Sequence, residues 1–166
     1  MKPVFAVYSA FLQRGYDQIV HDVCMQKLPV IFAIDRAGLV GSDGETHQGA
    51  YDMAYLSHIP NMTILSPKNK WELADMLRFA VQHDGPIALR YPRGTAYDGF
   101  QEFRTQIEYG KSEIIYEEND IAILCVGNMF ESGAKVRKIL KDTGYHCCFE
   151  RGFEEPSPAQ RPHSRQ

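Results

Sequence analysis

Short apolar runs rich in branched residues alternate along this sequence with longer segments of helical period, and that alternation restricts the chain to a parallel sheet covered by helices. The expected strands are Val4–Tyr8, Val30–Ile34, Met62–Leu65 and Ile87–Tyr91. Between them, Leu12, Tyr16, Ile19, Val20 and Val23 recur at i, i+4, i+7, i+8 and i+11, and Leu73, Met76, Leu77, Ala80 and Val81 recur in a similar way. Both sets predict helices that face a core. Pro29 ends the first helix and the pair Gly85-Pro86 punctuates the second. With 166 residues, 44% of them hydrophobic, the chain can bury one good core and part of a second. The expected fold class is α/β: a parallel sheet flanked by helices over residues 1–94, followed by an incomplete second α/β domain.

After Arg93-Gly94 the pattern dissolves into a polar and aromatic stretch, so residues 95–109 are expected to be a linker. A second unit over residues 110–149 follows, with strands at Glu113–Tyr116 and Ile121–Val126 joined by the turn Glu118-Asn119-Asp120. A helix is expected within Ser132–Thr143, and a last strand begins at His146–Phe149. Residues 150–166 carry three prolines, mixed charge and one large apolar residue, Phe153, a composition expected of disorder.

The net charge of −3, with acids and bases interleaved, excludes a polybasic surface for nucleic acid or anionic membrane. No apolar run approaches the length that crosses a bilayer. Lys2 followed by the run from Pro3 to Leu12 imitates a short secretory leader, but the alternation in Val4-Phe5-Ala6-Val7-Tyr8 suits a strand, and no small-x-small cleavage site follows. Cys24, Cys125, Cys147 and Cys148 lack metal-ligand spacing and read as reduced, mostly buried thiols of a cytoplasmic protein. The expected partners are small molecules or other protein chains.

The segment from Asp35 to Gly49 is the richest in chemistry, and it follows an expected strand directly. In an open α/β sheet, ligands bind at the carboxyl ends of strands. Glycines at 38, 41, 44 and 49 exclude a regular helix there and allow close approach of backbone to a ligand. The loop has no Lys-Ser or Lys-Thr ending, no G-x-G-x-x-G, and too few alternating carboxylates for calcium. A second element, Tyr8 to Arg14, lies where the first strand ends and a helix begins. Phe11 and Arg14 share a helix face there, and an aromatic ring in that place can stack on a flat heterocycle. A third, Arg90-Tyr91-Pro92-Arg93-Gly94, leaves the last strand. Arg14, Arg36 and Arg93 thus issue from three strand ends, together with Asp43 and His47. Arginine forks suit bidentate recognition of phosphate or carboxylate, and a histidine exchanges protons near neutral pH. Taken singly, each residue has an ordinary explanation as a core aromatic, a turn former or a surface ion-pair partner. Their joint placement at three strand ends favours a pocket for a small phosphorylated acid or aldehyde.

Three blocks in order, Tyr8-Ser9-x-Phe11-Leu12-Gln13-Arg14-x-Tyr16-Asp17-Gln18, Asp35-Arg36-Ala37-Gly38-x-Val40-Gly41-x-Asp43-Gly44-x-Thr46-His47-Gln48-Gly49 and Arg90-Tyr91-Pro92-Arg93-Gly94, closely resemble the 1-deoxy-D-xylulose-5-phosphate synthase family. The core Gly-x-Asp-Gly-x-Thr-His-Gln is similar to transketolases in general, and the flanking residues narrow the match. The resemblance implies a transketolase-like pyrimidine-binding domain in a thiamine-diphosphate- and Mg2+-dependent enzyme, a homodimer at full length. That enzyme condenses pyruvate with glyceraldehyde 3-phosphate, releases carbon dioxide, and feeds isoprenoid, thiamine and pyridoxal synthesis. Carried over, Phe11 stacks on the aminopyrimidine. Arg36 and Arg93 hold the aldehyde's phosphate, with Arg14 lining the same cavity. His47, Asp43 and Tyr8 orient substrate groups and relay protons.

The same resemblance places the pyrophosphate and magnesium ligands in an N-terminal domain outside this chain, so no metal ligand is assigned here. The glutamate that activates the aminopyrimidine belongs to an Ala-Glu-Gln-His stretch upstream of the strand ending at Tyr8. The expectation is a part of the synthase, inactive alone. Residues from Cys148 to Gln166 read as an unrelated tail such as a frameshift would produce. Two other readings stay open: a split enzyme whose missing domain comes from a separate chain, and a non-catalytic binding module.

Overall fold

The computed structural model of the protein describes residues 1–152. Four strands, β1 (Val4–Tyr8), β2 (Ile31–Asp35), β3 (Thr63–Leu65) and β4 (Ile87–Arg90), form an all-parallel sheet in the order β1-β2-β4-β3. The period-2 alternation of strand side chains sorts the core into two halves. Phe32, Ile34, Ile64 and Ala88 pack on one face with Leu12, Ile19 and Cys24, whereas Ile31, Leu65, Ile87 and Leu89 pack on the other with Met76 and Ala80. A sheet covered on both faces needs strands that are nearly all apolar, and β2 supplies that in Ile-Phe-Ala-Ile. Register pairs Tyr8 with Asp35 and Ile34 with Arg90, so the carboxyl ends of β1, β2 and β4 lie side by side.

The first expected helix forms, but its pitch changes along the way. Residues 9–24 run as α1 (Ser9–Leu12), a 3-10 turn (Gln13–Gly15), α2 (Tyr16–Gln18) and a π-helical segment (Ile19–Cys24). The wide turns end with Met25 N–H donating to Val20 O and Leu28 N–H to Val23 O. Leu12, Ile19 and Cys24 are buried, but Tyr16, expected in the core, is exposed and meets Tyr55 of α3 (Asp52–Ser57) edge-on. In α4 (Lys70–Gln82) the stripe facing the sheet is centred on Met76 and Ala80, and it leaves Leu77 and Val81 in solvent. Glu72 takes a buried place on that helix instead. Asn69 caps the helix by accepting from Glu72 N–H at 2.9 Å, while the Glu72 carboxylate reaches back to Lys68 N–H at 2.6 Å.

The second unit is a three-stranded sheet of β5 (Glu113–Tyr116), β6 (Ile121–Cys125) and β7 (Cys147–Arg151) in the order β5-β7-β6. The turn after β5 does not make a hairpin, because β7 enters between the two strands, antiparallel to β5 and parallel to β6. The strand also runs on to Arg151, past the expected limit at Phe149, and Phe149 is fully buried. The rest of the expected tail, from residue 153, lies outside the described residues. Helix α5 (Met129–Asp142) covers one face, with Phe130 and Phe149 in contact at 4.5 Å between ring centroids. The expected linker contributes to this core: Phe100 meets Phe130 edge-on at 5.1 Å and Phe103 meets Tyr116 at 5.4 Å. Cys24, Cys125 and Cys147 are buried free thiols and Cys148 is half-buried; burial pushes the Cys24 thiol up to about 11.

A buried four-charge cluster joins the two units. Lys68 Nζ donates to Glu72 at 3.1 Å and to Glu113 at 2.5 Å, and Arg151 Nε lies 3.0 Å from Glu72 and 3.5 Å from Glu113. Truncating one member leaves buried charge uncompensated, so Glu72→Ala is expected to cost about 3–5 kcal/mol of stability. Chemical denaturation monitored by circular dichroism measures it.

Candidate active site

Each expected site residue sits where the sheet ends. Tyr8 is the last residue of β1 and Phe11 lies in the first turn of α1. Arg36 follows β2 with φ +59°, a left-handed conformation uncommon for a residue with a side chain. Asp35 holds it there by accepting from the Arg36 N–H at 2.6 Å and from its guanidinium at 2.8 Å. Ala37 N–H donates to Tyr91 O at 3.0 Å, which fastens the exit of β2 to the exit of β4.

The glycine loop folds back on itself. Gly38 and Gly49 exchange both backbone hydrogen bonds at 2.8 Å. Inside that closure Gln48 accepts from Val40 N–H at 3.0 Å and donates to Gly44 O at 2.8 Å. A Cβ on Gly49 would collide with the Arg36 carbonyl oxygen and fall 2.7 Å from Ser9 Oγ, so only glycine lets the loop lie against both strand ends. Ser9 Oγ is itself buried without a hydrogen-bond partner among the described residues.

The loop delivers Asp43 and His47 to two adjoining clusters. In the ionic one, the Asp43 carboxylate accepts from Arg36 Nε at 2.7 Å and pairs with Arg93 Nε at 3.0 Å. The hydrogen bond from Arg36 holds the Asp43 carboxyl below its ordinary range against partial desolvation, and Arg93 adds to the effect. In the aromatic cluster, Tyr8 stacks on Phe11 at 5.6 Å and His47 meets Phe11 at 5.1 Å. The two clusters join where the Arg36 guanidinium lies 3.8 Å from the Tyr8 ring centroid. Arg14 lies at the edge, 5.8 Å from the Phe11 centroid. Arg36 is thus committed to two carboxylates and a ring, whereas Arg93 keeps a side chain 45% exposed. His47 Nδ1 is 3.0 Å from Thr46 Oγ1.

This arrangement at the carboxyl ends of a parallel sheet coincides with a family match: residues 1–98 fit the description "Transketolase, pyrimidine binding domain". The chain belongs to that family. Within the transketolase pyrimidine-binding family it is similar to 1-deoxy-D-xylulose-5-phosphate synthases. It is 56% identical over 143 residues to that of Lachnoclostridium phytofermentans, a match covering 86% of this chain and 23% of the relative. It is 55% identical over 147 residues to that of Halalkalibacterium halodurans, covering 87% and 23%. The chain therefore spans about a quarter of the length of these curated relatives. In fold it is similar to a structure described as "Split gene transketolase, inactive beta4 tetramer", with a TM-score of 0.82, 24% identity, and coverage of 92% of this chain and 49% of that one.

Two features of this pyrimidine-binding domain escaped the sequence reading. One is the buried pair of Asp52 and Arg90 behind the site. The other is an open cleft of about 180 Å3 where the domain meets the second unit, lined by Tyr91, Pro92, Thr95, Tyr97, Asn128 and Glu131 among others. Arg90 opens the motif Arg90-Tyr91-Pro92-Arg93-Gly94, but neither its partner nor the cleft carries a local spacing signal. Among the described residues, no group of three or more His, Cys, Asp or Glu could hold a metal ion, and no helix is long and apolar enough to cross a membrane.

The ionic cluster has a defined pH response. The folded-state value of Asp43 is lowered from 3.8, so the stability it contributes is fully present above that ordinary value and is lost as pH falls through the lowered one. In Arg36→Ala, the Asp43 titration followed by carboxyl 13C NMR is expected to move up toward 3.8. Gly49→Ala is expected to cost about 1–3 kcal/mol through overpacking and to shift the amide resonances of the loop from Gly38 to His47. Denaturation and heteronuclear NMR on the same variant measure both effects.

Proposed function

We propose that this chain is the pyrimidine-binding part of a 1-deoxy-D-xylulose-5-phosphate synthase, which condenses pyruvate with glyceraldehyde 3-phosphate and releases carbon dioxide for isoprenoid, thiamine and pyridoxal synthesis in the cytoplasm. The observation that carries the reading is the junction of Tyr8, Phe11, His47, Arg36, Asp43 and Arg93 at three adjacent strand ends. A sequence about half identical to named synthases supports it.

The residues fit a thiamine-type cofactor on one physical ground: Phe11 is an aromatic left 39% exposed at the end of a parallel strand, which offers a ring for stacking on a flat heterocycle. When bound, thiamine diphosphate supplies the electron sink for decarboxylating the 2-oxo acid and passing on a two-carbon unit. Phe11 orients its pyrimidine. Arg93, the more exposed of the two guanidiniums on Asp43, is the fork for the aldehyde's phosphate, and Arg36 turns toward the same anion as Asp43 is shared. Arg14 closes the cavity beyond Phe11. His47, Asp43 and Tyr8 hold the substrate hydroxyl and carbonyl groups and move protons among them. Following the family resemblance, the Mg2+ ligands, the pyrophosphate site and the carboxylate that activates the pyrimidine are assigned to polypeptide outside this chain. The isolated chain is accordingly proposed to be inactive, and the assembled enzyme a homodimer.

A chimera tests the reading. The segment of the L. phytofermentans synthase that matches this chain is replaced by the corresponding residues of the chain, and carbon dioxide release from pyruvate is followed with glyceraldehyde 3-phosphate, thiamine diphosphate and magnesium. The chimera is expected to turn over, and Arg93→Ala within it to lose about 10²-fold or more in kcat/KM for the phosphorylated aldehyde. A folded chimera without turnover would overturn the assignment.

A further inference from the structure

Asp52 and Arg90 form a bidentate pair, with Arg90 Nε donating to Oδ2 at 3.0 Å and Nη2 to Oδ1 at 3.1 Å. The Asp52 side chain is fully buried and that of Arg90 is 12% exposed. Stability alone does not call for such a pair, because an apolar pair of similar volume is often as stable or more so. What a bidentate fork supplies is direction, since two parallel hydrogen bonds set both distance and angle.

The positions of the two residues give that direction a use. Asp52 begins α3 three residues after Gly49, where the glycine loop closes. Arg90 ends β4 three residues before Arg93. The loop carries Asp43 and the β4 exit carries Arg93, and these two meet at 3.0 Å. One fork therefore joins the two segments that carry Asp43 and Arg93, two of the three members of the ionic cluster. Arg90 Nη1 also reaches Ser66 Oγ at 3.4 Å, just beyond β3. Gly127, ahead of α5, lies so close to Ser66 that a Cβ there would collide with the hydroxyl. The guanidinium thus bonds Asp52 at the start of α3 and Ser66 just beyond β3, and Ser66 in turn lies against Gly127 of the second unit.

We propose that Asp52 and Arg90 are positioning residues for the site, setting the separation at which the glycine loop presents Asp43 to Arg93. Neither residue touches the ligand. Their consequence for phosphate recognition rests on the functional reading above, while their effect on the Asp43–Arg93 contact does not.

The test uses the full chain labelled with 13C and 15N and compares wild type, Arg93→Ala, Asp52→Asn, and the double variant Asp52→Asn with Arg90→Gln. The double variant removes both charges and keeps hydrogen-bonding groups of similar shape, so it guards against a single variant that does not fold. Two quantities are read: the Asp43 carboxyl titration, and binding of inorganic phosphate followed by amide shifts. In the double variant the Asp43 midpoint is expected to rise to the value found in Arg93→Ala, with Arg36 still paired to it, and phosphate affinity to fall by about tenfold or more. A natively folded double variant with the wild-type Asp43 midpoint would overturn the inference. Wild-type chain that does not bind phosphate, beside a shifted Asp43 in the double variant, would instead count against the phosphate reading and leave the positioning role supported.

Discussion

Asp43 accepts a hydrogen bond from Arg36 and pairs with Arg93, two guanidiniums that leave different strands. Parallel pairing of β2 with β4 brings the exits that carry Arg36 and Arg93 close together, and two like charges there repel unless an anion lies between them. The carboxylate supplies that anion. It also explains why a glycine-rich loop has to fold back over the sheet end, since Asp43 reaches both arginines only when Gly38 and Gly49 close the loop and Gly49 lies against the Arg36 carbonyl. A carboxylate and a phosphate offer a guanidinium the same kind of charged acceptor.

Behind this exposed cluster stand two buried ones, and they do different work. The pair of Asp52 and Arg90 lies beneath the loop and aligns segments of a single sheet. The cluster of Lys68, Glu72, Glu113 and Arg151 lies between the units and ties helix α4 to strands β5 and β7. In both, every ion has an opposite charge within reach, as the cost of burying a charge requires. The aromatic core of the second unit borrows Phe100 and Phe103 from the connecting segment, so that segment is held by packing as well as by charge.

The four strands of the first sheet were legible to within a residue at each end, because runs such as Ile31–Asp35 have apolar side chains on both faces and are bounded by Pro29 and Arg36. Helix faces were legible less completely. Met76 and Ala80 face the sheet as their spacing indicates, but Leu77 and Val81 do not, since the stripe is only as wide as the strand surface beneath it. The pitch changes between Gln13 and Cys24 carry no period of their own and were not foreseen. In the second unit the strands were visible and their order was not. The placing of β7 between β5 and β6 depends on where the crossover through α5 returns the chain, a long-range matter that no local window contains.

Local sequence was enough to show which polar residues fall at strand ends, because apolar periodicity locates strands and the residues just beyond them lie on one edge of a parallel sheet. It also determined the membership that the three motif blocks display. Only the tertiary structure decided which of those residues touch: that Asp43 is shared by Arg36 and Arg93, that Arg36 lies on the Tyr8 ring, and that Asp52 and Arg90, 38 positions apart, lock the loop to β4. The physical reason is range. Backbone preference and hydrophobic period act over a few residues, whereas a charge finds its partner across whatever distance the fold has closed.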